Sequence, residues 1–596
     1  MCKHALARAL YRIVVLVAVA TAACAQQKQG SPAFDIVIRG GRIIDGTGNP
    51  WYMGDVAIRG DRIFAIGKLQ NVTAKRLIDA RGMVVAPGFI DMLGQSETAL
   101  LIDNRSLSKL AQGITTEITG EGGSIAPQNA RTIASAQPGL DPYHLKIDWT
   151  TLDDYWMRLE KKGTPINIGT YVGAAQVREA VLGDVNRAPT PEELEKMKAL
   201  VAQAMQQGAL GISTALIYPP GHYAKTEELI ELAKVAAQYG GIYATHMRSE
   251  GLNEVAAVRE ALRIGEEAHL PVEIFHLKVS GKSRAGKMID IVRMIQAARD
   301  SGLDVTADMY PYLAGATALA SSLPPWVADG GMGKLLERLR DPAVRQRIKT
   351  EMSATGERTS APSRAEPTRE GDPSAPSRAE PAREGDPWEN LYLDSGGASG
   401  VMVSSVVNPD LKQYTGKTVA EIAEAQKKEP LDAFMDFVVA DHGLSSALYF
   451  IASEEDLQTG LRQPWTSIGL DANELSLDGP LFEPHTHPRA FGSMPRFLGH
   501  YVRDLQLMPL EQAIRKITSL PAQREHLVGR GLIKESFFAD ITIFDPATIN
   551  DKATYTEPAQ LPEGVKYVLV NGEIAFENGK VTGAMGGRAL KRQGTK

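Results

Sequence analysis

Between residues 85 and 471 short apolar runs alternate with amphipathic helical stretches, and this alternation constrains the fold more than any other feature of the chain. The runs lie at 85–92, 115–119, 166–172, 210–214, 242–246, 272–276, 304–308 and 467–471. Helical patterns such as 191–207 and 226–239 separate them. Parallel strands need a crossover connection between them, so strand–helix alternation is the pattern of parallel βα units. Eight such units predict an α/β architecture, a (β/α)8 TIM barrel, whose strand ends and following loops gather functional residues on one face.

The two ends of the chain read differently. From Phe34 the sequence alternates in period two, "FDIVIRGGRIIDGTG" then "GDVAIRGDRIFAIG", with glycine turns between the runs. The far end repeats the style in "ADITIFDP" and "VKYVLVNGEIAFENGKVTG". These are β-hairpin patterns, and neither end has enough strands to bury a face alone. The expectation is one small β-domain built from both chain termini, 34–84 with 530–590, flanking a barrel over 85–529. Inside the barrel region, "SAPSRAEPTREGDP" at 360–373 is followed at once by "SAPSRAEPAREGDP" at 374–387. The copies differ only at Thr368 and Ala382, and their composition leaves almost nothing to bury, which predicts a disordered tandem repeat within an insertion between the seventh and eighth units.

An apolar fraction of 43% with 23% charged residues fits a globular protein, and a net charge of −6 gives no reason to expect nucleic acid. Lys3, Arg8 and Arg12 precede an apolar run at 13–23, and Ala23-Cys24-Ala25 fits a small-residue cleavage site. Residues 1–25 therefore read as a signal peptide of an exported, periplasmic or secreted protein, and the run is too short for an integral span. The rival reading is a lipoprotein anchored through Cys24. Cys2 and Cys24 are the only cysteines, so cleavage after Ala25 leaves neither a disulfide nor a thiolate ligand.

Two histidines end apolar runs, His246 in "GGIYATHMRSEG" and His276 in "PVEIFHLKVSG". Neutral imidazole is a common zinc ligand, although a lone histidine after an apolar run is more often a packed residue. Two imidazoles need a third protein ligand, plus an open position for water, to make a catalytic zinc site. Zinc lowers the pKa of water to about 7, and a nearby carboxylate can take the proton.

"VVAPGFIDM", "QGITTEITGEGG", "GALGISTALIYPPG", "GGIYATHMRSEG", "HPRAFGSMPRFLGHYVRD" and "ADITIFDP", in this order, resemble the N-acyl-D-amino-acid deacylase (D-aminoacylase) branch of the amidohydrolase superfamily. The resemblance implies a TIM barrel with a small β-domain and zinc-dependent hydrolysis of the amide of an N-acyl amino acid, with the D configuration implied by the resemblance alone. It places His246 and His276 on the two zinc-binding histidines of strands five and six, and Asp471 in "SIGLDAN" on the catalytic aspartate at the end of strand eight. It also maps Lys278 and Arg489 to groups that bind the substrate carboxylate, and Tyr218 and Tyr310 to the pocket; each could instead be a surface cation or a packed ring.

Two departures matter. The family pattern after "PGFID" carries His-x-His, but here those positions are Leu93 and Gln95, which are poor ligands or none. At the family's cysteine ligand after strand two this chain has the loop Gly120-Glu121-Gly122-Gly123. A carboxylate can take that role, since His2Glu is a known catalytic set, although Glu121 could also be a loop carboxylate paired with a nearby base. The expected centre is one zinc per chain held by Glu121, His246 and His276, with Asp471 as general base and Gln95 and Glu97 nearby. His485 and His487 form another His-x-His, expected to order a loop or face substrate. The alternatives are a different C–N hydrolase, such as a dipeptidase or cyclic-amide hydrolase, or a non-catalytic binding protein on the same barrel.

Overall fold

The computed structural model describes residues 33–354 and 388–592. The segment expected to be a signal peptide, both cysteines and the tandem repeat lie outside the described residues.

Eight parallel strands form the barrel, here β1 (Phe89–Asp91), β2 (Ile114–Thr119), β3 (Asn167–Thr170), β4 (Gly211–Ala215), β5 (Ile242–His246), β6 (Val272–Ile274), β7 (Val305–Met309) and β8 (Thr466–Ile468). The third strand is interrupted at Tyr171, and its continuation Val172–Gly173 pairs with β4. Parallel pairing runs from β1 to β3 and from Val172–Gly173 through β8. Closure comes from a parallel bridge between Gly94 and Ala472 and from Met92 N–H donating to the Ile468 carbonyl at 3.3 Å. The helices at Pro191–Gln206 and Thr226–Gln238 agree with the sequence pattern to within a residue. The first starts with a reciprocal cap between Thr190 and Glu193 and with proline in its first turn, where the missing N–H costs nothing.

The run at 85–92 is divided rather than continuous. Val84–Pro87 pairs antiparallel with Ile541–Phe544 in the terminal sheet, and only Phe89–Asp91 enters the barrel. Gly88 is the switch point, since a Cβ there would lie 2.1 Å from the Thr115 hydroxyl. Periodicity could not reveal this, because both halves are fully buried and neither alternates polar with apolar residues over enough length.

The terminal sheet has nine strands, five before the barrel and four after it, joined by that Val84–Pro87 pairing. It buries its own core of Ile36, Ile38, Val56, Ile58, Ile541 and Leu569. Residues of the insertion form a three-stranded antiparallel sheet, Ala314–Ala318, Val401–Ser405 and Ser446–Phe450, over a separate apolar cluster that includes Phe434, Phe437 and Tyr449. It reaches the barrel face, where the Glu389 carboxylate accepts from the Ser249 hydroxyl at 2.7 Å.

Under the site, the barrel floor holds a fully buried ion cluster. Lys109 Nζ lies 2.7 Å from Asp91 on β1 and 3.2 Å from Glu117 on β2. Burial opposes its charge, but the two carboxylates outweigh this and raise the Lys109 pKa, while burial raises that of Glu117. Asp91 also accepts from Leu93 N–H and Leu470 N–H, at 3.1 and 2.8 Å, and so ties the first strand to the last. Lys109→Met is expected to leave two buried carboxylates without their counter-cation and to lower stability by about 3–5 kcal/mol, read as a lower unfolding midpoint. An unchanged midpoint would show that the cluster is not what closes the barrel floor.

Candidate metal centre

Glu121 stands in the loop after β2. Gly120 and Gly122 on either side have φ of 93° and 65°, in the left-handed region, and neither has room for a Cβ. Such a backbone needs glycine. Ser213 on β4 fixes the loop, its hydroxyl donating to the Gly120 carbonyl and accepting from Gly122 N–H. The carboxylate is thereby aimed at the ends of β5 and β6.

His246 is the last residue of β5, and His276 follows the end of β6 by two residues, with φ of 33°. His246 Nδ1 lies 2.8 Å and His276 Nε2 3.1 Å from the same oxygen, Glu121 Oε1, and the rings stand 4.3 Å apart. The three donor atoms lie within 4.8 Å of one another. Burial opposes the Glu121 charge, but the bonds to both imidazoles outweigh it and hold its pKa well below the ordinary carboxylate range. For His276, burial and Lys278 oppose the charged form, yet Glu250 and Glu121 raise its pKa to about 10. Two neutral-capable imidazole nitrogens and a carboxylate oxygen, buried and convergent, are a donor set that suits zinc.

Glu250, which the sequence reading passed over, lies behind both rings. Its Oε1 is 2.9 Å from His276 Nδ1 and 3.9 Å from the buried His246 Nε2, which has no hydrogen-bond partner among the described residues. A carboxylate behind ligating histidines orients them and sets their tautomer. Its spacing of four residues from His246 in "HMRSEG" was the available signal. Lys278 also turns to Glu250, at 2.6 Å, and to His276 Nδ1, at 2.7 Å.

Asp471 lies beyond β8 with φ of 53°, its N–H donating to the Leu93 carbonyl at 2.7 Å. Its Oδ1 accepts from the Gln95 amide at 2.8 Å, and the same nitrogen donates to Glu121 Oε2 at 3.1 Å. Its Oδ2 is 2.7 Å from Arg489 Nη1. Burial raises the Asp471 pKa against the pull of Arg489. Leu93 itself packs into the apolar floor with Ile90, Ile118 and Phe275.

Arg489 begins the helix Arg489–Arg496, and its guanidinium lies 4.7 Å from the Tyr310 ring centroid. Its buried Nε has no hydrogen-bond partner among the described residues. The Tyr310 ring also lies 5.5 Å from Lys278 Nζ, and the Tyr218 ring 5.1 Å from that of His246. The structure thus brings Glu121, His246, His276, Asp471, Lys278, Arg489, Tyr218 and Tyr310 to one face of the barrel.

His487 does not join them as a ligand. Its Nε2 meets the Ala314 carbonyl at 2.8 Å and its Nδ1 accepts from Arg489 N–H at 2.9 Å, so both nitrogens are used in setting the arginine. Burial and Arg489 keep its pKa well below the usual histidine value. His144, His269, His442 and His526 take left-handed backbone conformations at turns.

A model described as the amidohydrolase family matches residues 76–576. The D-aminoacylase of Alcaligenes xylosoxydans xylosoxydans is 35% identical over 568 residues, covering 94% of this chain and 98% of that protein. A D-aminoacylase structure, described for the role of its binuclear metal centre with one-metal activation and second-metal attenuation, superposes with a TM-score of 0.74 at 33% identity, covering 94% of this chain and all of that one. The N-acyl-D-glutamate deacylase of Bordetella bronchiseptica, solved with zinc and a phosphonate mimic of the tetrahedral intermediate, gives a TM-score of 0.74 at 28% identity, covering 94% of this chain and 99% of that one.

Proposed function

The chain belongs to the amidohydrolase family, and from that premise we propose that it hydrolyses the amide bond of N-acyl-D-amino acids with a single zinc ion held by Glu121, His246 and His276. The observation that carries the reading is the convergence of these three side chains beside Asp471 and Arg489. Relatives at 31–35% identity over most of the chain are named D-aminoacylase, N-acyl-D-aspartate deacylase and N-acyl-D-glutamate deacylase.

Held by those three residues, zinc supplies Lewis-acid polarisation of the amide carbonyl and a lowered pKa for water. The side chains supply the rest. Asp471 takes the water's proton and returns it to the leaving amine, as general acid–base catalysis of acyl transfer requires. In this structure its Oδ2 is paired with Arg489. A substrate carboxylate offers the guanidinium a bidentate partner, which relieves Asp471 of that pairing as the substrate is seated. Lys278 adds a second cation beside Tyr310, and Tyr218 walls the pocket next to His246.

The test is release of free amino acid from N-acetyl-D- and N-acetyl-L-amino acids and from the matching carboxamides, which lack the negative charge. The D acids are expected to be the substrates, with kcat/KM at least about tenfold lower for the carboxamides, since a charged hydrogen bond is worth about 1.5–3 kcal/mol. Equal turnover of acid and carboxamide would remove Arg489 and Lys278 from substrate recognition.

We further infer export. Lys3, Arg8 and Arg12 before the apolar run at 13–23 support it. No helix among the described residues is long and apolar enough to cross a membrane.

A further inference from the structure

We propose that the side-chain amide of Gln95 is the positioning residue that ties Glu121 to Asp471 and, by standing between their carboxylates, limits the centre to one metal ion. This rests on the single-zinc reading above and adds to it a residue and a reason.

Each carboxylate divides its oxygens in the same way. Glu121 gives Oε1 to the two imidazoles and Oε2 to Gln95; Asp471 gives Oδ2 to Arg489 and Oδ1 to Gln95. One nitrogen, Gln95 Nε2, therefore sits 3.1 Å from one carboxylate and 2.8 Å from the other. Two anions drawn toward one point are where a cation would bind. An amide nitrogen there satisfies both with its two N–H groups, carries no lone pair to offer, and turns its hydrogens toward any approaching cation.

The backbone on both sides holds the amide in place. A Cβ at Gly94 would lie 2.2 Å from the Glu117 carboxyl, so the chain passes hard against that buried group. Ser96 bonds to Glu117 through its N–H at 2.9 Å and its hydroxyl at 3.0 Å. Glu117 is itself paired with Lys109. Gln95 is thus anchored through the buried ion cluster of the barrel floor, while Leu93, buried in the apolar floor, offers no ligand atom. With Oδ1 fixed by Gln95, Asp471 keeps its orientation when Arg489 turns to a substrate carboxylate and leaves Oδ2 for the proton.

The experiment compares the zinc-loaded wild-type protein with Gln95→Glu and Gln95→Leu, measuring zinc per chain by elemental analysis and kcat and KM separately. Gln95→Glu keeps the length but replaces donors with acceptors beside two carboxylates. It is expected to raise bound zinc from about one to about two per chain, since oxygen ligands suit divalent cations. Gln95→Leu removes the bonds at similar volume, so kcat is expected to fall about tenfold or more with KM within about twofold and zinc unchanged at one, the pattern of lost positioning. One zinc in Gln95→Glu together with wild-type kcat in Gln95→Leu would overturn the proposal while leaving the single-zinc hydrolase intact. A wild-type protein that binds no zinc, or that already binds two, would overturn the single-zinc reading and this inference with it.

Discussion

Asp471→Asn is expected to lower kcat by about a thousandfold while zinc content and fold are kept, within the range of roughly a hundred- to ten-thousandfold typical of a general acid–base group. The substitution keeps the loop conformation but also removes the charge opposite Arg489, so KM is read beside kcat. Asp471 occupies the left-handed region, which asparagine tolerates better than most residues, and its N–H bond to the Leu93 carbonyl does not involve the side chain. The new amide still offers an oxygen to Gln95, but it cannot take a proton. Steady-state turnover of an N-acetyl-D-amino acid, beside zinc analysis of the same sample, is the measurement. A loss smaller than about tenfold would show that Asp471 is not the base and would favour a role in holding Arg489.

His246→Ala should remove the centre itself. His246 and His276 meet a single Glu121 oxygen, so losing one imidazole leaves two protein ligands where a catalytic zinc needs three. Zinc per chain is expected to fall to the detection limit and turnover to fall with it, while circular dichroism shows the barrel still folded. The barrel does not depend on the centre for its closure, which is made by β1, β8 and the Asp91–Lys109–Glu117 cluster below. Zinc retained at one per chain in His246→Ala would place the metal elsewhere.

The barrel was legible in the sequence because its strands are short, buried on both faces and separated by helices with clear caps, as at Thr190 and Pro191. The division at Gly88 was not, because Val84–Pro87 and Phe89–Ile90 both read as apolar and only tertiary pairing tells them apart. His246 and His276 stood out because each ends an apolar run inside a motif of the resembled family, and Glu121 because it lies beside the position where that family carries its cysteine. Gln95 was expected near the centre, but its bonds to Glu121 and Asp471 span 26 and 376 positions, and Ser213 reaches Gly122 across 91, so local patterns carry no record of those contacts; for Glu250 only its four-residue spacing from His246 was visible. Lys109 reads as an ordinary helix lysine until Asp91 and Glu117 are seen to enclose it. The conspicuous His485-x-His487 pair shows the opposite case, a metal-like spacing whose buried member spends both nitrogens on the backbone.

The most direct test of a single-zinc deacylase is a titration of the metal-stripped wild-type protein with zinc, following both bound metal and turnover of an N-acetyl-D-amino acid. Turnover should rise in proportion to zinc and level off at one equivalent per chain, with His246→Ala silent throughout. Turnover that persists without metal, or that appears only after a second equivalent has bound, would contradict it.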